Sequence, residues 1–287
     1  MRFQGGKVQI KSVRRATGTA MAVLGAVLVT LSACQASPGG GAKNGLPGPP
    51  ARARPQGAPR AAGAVPAGQQ DRAAPAGDPG GLPGVGELLR SAIPADSAQV
   101  VAVYGEDRDS ADSTVVLYTR DTRGARDAWA AQDTRDGAGW RPVGSWPAHN
   151  GRSGWTTDHF AGDGRSPVGV FTVTDAGGVL PDPGTRLSYE QGRDLYAPPR
   201  SWSPAYRHDF DYVIAIDYNR LRGTPPHDTT HPWGDGKGGG IWLHLDHGSG
   251  TSACIGLPGQ AMEHLLRTLD PALDPVVVMG DRPTLLS

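Results

Sequence analysis

The chain has 287 residues, 28 Lys+Arg against 28 Asp+Glu, and a formal net charge of zero. That zero is the sum of two unlike parts: residues 1–82 hold ten basic and two acidic residues (+8), and residues 83–287 hold 18 basic and 26 acidic (−8). The acidic part argues against nucleic-acid or other polyanion binding, and the 205 residues after position 82 suit one domain with a core. A large multidomain enzyme, a collagen-like repeat and a long coiled coil are excluded.

In chain order, Arg2, Lys7, Lys11, Arg14 and Arg15 precede an uncharged run from Ala16 to Ala33, most apolar between Met21 and Leu31. This is the order of a secretory signal, since positive charge stays cytoplasmic while the apolar stretch enters the membrane. The run is short for a spanning helix, which needs about 20 apolar residues. It ends in Leu31-Ser32-Ala33-Cys34, which resembles the lipobox of bacterial lipoproteins. The resemblance implies cleavage before Cys34 and a thioether to diacylglycerol on its sulfur. The mature protein would then be lipid-anchored on the outer face of the cytoplasmic membrane, facing the cell wall. An uncleaved signal anchor is the alternative. Residues 1–33 are thus expected to be a signal peptide, and residues 34–82 the lipidated cysteine and a tether.

The tether reading follows from composition. Residues 35–82 contain 12 Ala, 9 Pro and 11 Gly. They have almost nothing to bury against an ordering cost of about 1–2 kcal/mol per residue. Residues 83–287 form the expected working domain. Short β-branched runs there predict strands over Gln99–Tyr104, Thr114–Thr119, Val168–Thr174, Tyr212–Tyr218, Ile241–Leu245 and Val276–Met279. Helical spacing predicts only Gly86–Ile93 and Gln260–Leu269. The pattern predicts a mainly β domain, a largely antiparallel sandwich with a few short peripheral helices.

One stretch carries chemistry. It reads Gly240-Ile-Trp-Leu-His244-Leu-Asp-His247-Gly-Ser-Gly-Thr251-Ser252-Ala253-Cys254-Ile-Gly-Leu-Pro258. A strand bounded by glycines leads to His244, a small-residue loop leads to Cys254, and Pro258 opens a helix. A cysteine nucleophile needs a neighbouring base or positive charge, which histidine commonly supplies. The backbone N–H groups of Ala253 and Cys254 are candidates for an oxyanion hole. Spacing alone leaves open a buried cysteine beside a satisfied core histidine. The chain has two cysteines, so lipidation of Cys34 leads us to expect Cys254 as a thiol.

These residues resemble the L,D-transpeptidase catalytic domain family of YkuD type. Ile241 to His244 matches its histidine-ending strand, and Thr251-Ser252-Ala253-Cys254-Ile255 its cysteine motif. Gly162-Asp-Gly-Arg-Ser166-Pro167-Val-Gly169-Val-Phe171 matches its upstream block. Phe210 to Asn219 supplies the strand expected between them. The likeness spans roughly residues 98–280. Ser252 stands where the family has His, Ala253 where it has Gly, Gly256 where it usually has Arg, and Leu245 where it has Gly or Ser. The resemblance implies a β-sandwich and acyl transfer on peptidoglycan stem peptides. In that chemistry Cys254 is the nucleophile, His244 the general base and then acid, and no cofactor takes part. Transfer to an amine would cross-link stems, whereas transfer to water would make an L,D-carboxypeptidase. A non-catalytic peptidoglycan-binding lipoprotein is the competing class.

The remaining candidates carry weaker signals. His247 is expected to be an exposed loop residue, with a role beside His244 as the alternative; Asp246 is a candidate to orient an imidazole. His231, Trp233, Trp242, Thr251 and Ser252 are possible cleft residues. His227 and His231 have helical metal-ligand spacing, but Pro225, Pro226 and Pro232 oppose a helix there, so no metal is expected. The glycine-rich run Asp235 to Gly240 lacks the helix a phosphate loop requires. Tyr189 and Arg193 fall in a loop that would be solvated or part of a lid.

Overall fold

A computed structural model describes residues 81–120 and 139–287. The expected signal peptide, Cys34 with its expected lipidation, and nearly all of the expected tether lie outside the described residues.

The described part is built on strands. In chain order they are β1 (Gln99–Gly105), β2 (Asp112–Thr119), β3 (Arg141–His149), β4 (Trp155–Thr156), β5 (Ser166–Pro167) and β6 (Gly169–Thr172). Then come β7 (Asp175–Gly178), β8 (Ser188–Gln191), β9 (Val213–Ala215), β10 (Trp242–Leu245), β11 (Ile255–Leu257) and β12 (Val276–Asp281). Ten of them form one sheet in the order β6-β12-β1-β2-β3-β11-β10-β9-β7-β8, while β4 and β5 pair separately. Most ladders are antiparallel; β1 with β12, β10 with β11, β7 with β8, and β4 with β5 are parallel. The domain is mainly β, as expected.

Strand parity explains the layers. In β1 the side chains alternate: Val101 and Val103 join a core with Leu117, Leu243, Ile255 and Met262, while Val100, Ala102 and Tyr104 face a second cluster with Leu82, Val278 and Leu285. Covered on both faces, β1 reads as a continuous apolar run. The sheet curls around the first core, which α3 (Gly259–Thr268) caps with Ala261, Met262, Leu265 and Leu266. The shorter helices α1 (Glu87–Arg90), α2 (Arg193–Tyr196) and α4 (Arg282–Leu285) are single turns at the periphery. The predicted helix Gly86–Ile93 is thus cut to one turn, with Pro94 close behind to disfavour its continuation.

Two departures matter for the site. Strand β3 was not foreseen: it carries Pro142 and Pro147 and is largely exposed, both of which mask a strand signal. Its last residue, His149, pairs with Gly256 of β11. The other is β7, whose small residues Asp-Ala-Gly-Gly are all buried. A Cβ on Gly177 would sit 2.6 Å from the Tyr196 hydroxyl and from the Glu190 carbonyl, so glycine lets those groups approach.

Candidate active site

Strand β10 sets the geometry. Leu243 points into the main core, so Trp242 and His244 point to the opposite face. There Trp242 packs with Tyr196, Phe210, Val213, Ala215 and Cys254. β11 runs parallel to β10 with Leu243 opposite Ile255 and His244 opposite Gly256. The two predicted catalytic side chains therefore emerge on one face from adjacent parallel strands.

Cys254 Sγ lies 3.4 Å from the Trp242 amide nitrogen, which donates to it, and 3.7 Å from the Gly240 carbonyl oxygen. Cys254 is fully buried and disulfide-bonded in this structure, where a thiol was expected. The loop before it is pinned from three sides. Thr251 Oγ1 donates to the Cys254 carbonyl at 2.6 Å, and Ser166 Oγ donates to the Ala253 carbonyl at 2.6 Å. Asn150 O accepts from the Thr251 amide at 2.9 Å. Thr251 is thus a buried support, whereas Ser252 takes a 3.2 Å hydrogen bond from Arg152 at the surface.

His244 is 1% exposed. Its Nδ1 sits 2.7 Å from the Leu245 carbonyl oxygen, which only a protonated nitrogen can approach as donor. That fixes the neutral ring with its lone pair on Nε2, and Nε2 is buried with no hydrogen-bond partner among the described residues. Burial, the largest influence, holds the His244 pKa below its ordinary 6.5. The ring is therefore a neutral base at neutral pH.

His247 is not the exposed residue expected. Its side chain is 4% exposed, and its Nδ1 is 2.9 Å from Asp209 Oδ2, on a carboxylate equally buried. Burial pushes its pKa down, but the Asp209 hydrogen bond and charge, helped by Asp246, outweigh that and raise it. The His244 and His247 rings lie nearly parallel with centroids 6.5 Å apart. The site thus pairs a neutral histidine with one inclined to be charged. Asp246 does hold an imidazole, that of His149 at 2.9 Å, and its Oδ1 would be 2.8 Å from a Cβ on Gly256. The position where a basic residue was expected is thus backed by an acid.

Other candidates fall elsewhere. Trp233 is 61% exposed and packs edge-on against Tyr218 at 5.4 Å, in a different ring cluster from Trp242. His231 pairs with Asp235 at 2.9 Å, and His227 with Glu190 at 2.6 Å. Among the described residues, no group of three His, Cys, Asp or Glu side chains is placed to hold a metal. The glycine-rich run is structural: Asn219 Nδ2 donates to the Gly234 and Gly238 carbonyls, and the run ends in the Gly240 carbonyl beside Cys254.

The residues that sequence reasoning missed are Asp209, Ser166 and Asn150, together with the ring contacts of Phe210, which stands edge-on to both Trp242 and His244 at 5.3 and 5.4 Å. Ser166 lay in a quoted motif, but nothing local signals its bond to Ala253, 87 residues away.

A family profile described as YkuD, L,D-transpeptidase catalytic domain, matches residues 130–278, which include all of these groups. The comparisons with curated proteins and with solved structures returned no match.

Proposed function

The chain belongs to the YkuD family of L,D-transpeptidase catalytic domains, and on that premise we propose that it transfers stem-peptide acyl groups of peptidoglycan through a thioester on Cys254. The observation that carries this reading is the His244 ring. Its Nδ1–H is committed to the Leu245 carbonyl and its Nε2 is left unpartnered on the face of Cys254.

In the proposed reaction His244 Nε2 takes the thiol proton, and the Cys254 thiolate attacks the carbonyl between the third stem residue and D-Ala. The backbone N–H groups of Ala253 and Cys254 receive the developing oxyanion. The C–N bond breaks as Nε2–H protonates the departing D-Ala amine. An acceptor amine then attacks the thioester and gives its proton to Nε2, while Sγ leaves as thiolate. Water in place of the amine gives carboxypeptidase action. Lipidation of Cys34 takes that sulfur out of thiol–disulfide exchange, which favours the thiol form of Cys254.

The test is turnover of a disaccharide tetrapeptide by the full reduced chain. Wild type is expected to release D-Ala and to form dimer when a second amine is present, or tripeptide in water. Cys254→Ala should release none. Equal release by Cys254→Ala contradicts the reading. One observation favours a second reading, peptidoglycan binding without catalysis: Cys254 is fully buried. It predicts retention on sacculi with no D-Ala release by wild type.

A further inference from the structure

Residues of the segment 193–211, with Val179 and Leu180 just after β7, line a cleft of about 550 Å³ that the reaction above does not use. Three arginines line it, Arg193, Arg200 and Arg207. All three are exposed, and none of their guanidinium groups makes a hydrogen bond or salt bridge among the described residues. The other charged lining groups, His208 and Asp211, are paired with each other at 2.8 Å. Asp194 is exposed and does not line the cleft. Three guanidinium groups with no carboxylate bonded to them repel one another unless an anion joins them, and their planar forks match carboxylates. Pro198, Pro199 and Pro204 fix φ along the segment, so the arginines are carried on a stiffened wall.

The cleft shares that wall with the catalytic face. Its Trp202 stands 6.4 Å from Phe210, which stands 5.4 Å from His244. Trp202 also packs on Tyr206 at 5.8 Å, and Tyr206 lies 4.4 Å from His247. Two ring contacts therefore separate the cleft from His244, a span that three or four extended residues cover at about 3.3–3.6 Å each. Around His244 the carboxylates are Asp209 and Asp246, and Asp246 backs Gly256. An anionic group of a substrate is repelled there and attracted one wall away.

We propose that this arginine cleft is a subsite for free carboxylates of the stem peptide whose carbonyl is delivered to Cys254. The proposal rests on the peptidoglycan reading and goes beyond it by assigning where the charge of the stem is held. It also predicts that stems with amidated carboxyls are poorer substrates.

The test compares the full chain with a variant carrying Arg193→Gln, Arg200→Gln and Arg207→Gln, on two tetrapeptide stems that differ only in free or amidated carboxyls. The KM of wild type for the free-acid stem should be lower by about tenfold, and the substitutions should erase that preference. Equal KM values for the two stems in wild type, or a preference that survives in the variant, would overturn the subsite. Calorimetric binding of the same two peptides to Cys254→Ala, with and without the arginine substitutions, decides the matter even if no turnover exists. That arm separates failure of the subsite from failure of the catalytic reading. Tighter binding of a glycerol-phosphate oligomer than of the free-acid stem would likewise overturn the assignment.

Discussion

At the scale of the residue, two histidines a few ångströms apart are driven in opposite directions. Burial lowers the pKa of His244, and the hydrogen bond and charge of the Asp209 carboxylate raise that of His247. The linkage signs follow. The stability that the lowered pKa of His244 reflects is present above 6.5 and is lost as the pH falls through and below that value. The contribution of His247 is present below 6.5 and is lost as the pH rises through its raised value. The acid limb of kcat/KM should accordingly lie below pH 6.5 where His244 governs it. Asp209→Asn keeps a hydrogen-bond partner but removes the charge, so the His247 midpoint in an NMR titration should drop toward or below 6.5. An unchanged midpoint would show that Asp209 does not control the ring. That His244 and Cys254 come together on one face was readable from sequence because both sit in one short stretch. His247 was not, because its partner lies 38 residues away on a different segment.

At the scale of the element, the site is the meeting of two parallel strands, β10 and β11, and the loop between them is held by groups from elsewhere. Ser166 is the main tie: it accepts from the Gly151 amide at 2.9 Å and donates to the Ala253 carbonyl. Ser166→Ala leaves both backbone groups unpaired in the interior, which should cost about 1–3 kcal/mol in urea unfolding. The loop carrying Cys254 loosens with it, so on the proposed reaction Cys254 acylation should slow as well. Full stability together with full acylation would mean the tie is dispensable. The alternation of β1 and β10 and the helical spacing of α3 were legible, since apolar periodicity records burial directly. The helix expected at Gln260–Leu269 appears at Gly259–Thr268. Strand β3 and the supports from Asn150 and Ser166 left no such record, because prolines, exposure and side-chain-to-backbone bonds have no period.

At the scale of the whole molecule, the zero net charge resolves into a basic N-terminal part and an acidic domain that carries a cleft lined by three arginines. We propose that the N-terminal part is an export signal and lipid-anchored tether. Each acyl methylene buried in the membrane contributes about 0.8 kcal/mol to retention. Cys34→Ser should therefore move the protein from the membrane fraction to the soluble envelope or medium, and an unchanged membrane fraction would favour the uncleaved anchor. The central claim, a nucleophilic Cys254, is tested most directly by intact-mass spectrometry of the full chain, reduced and then treated with a carbapenem. The account predicts one added carbapenem mass on wild type, located to Cys254, and none on Cys254→Ala. An unmodified wild type, or the same adduct on Cys254→Ala, would contradict it.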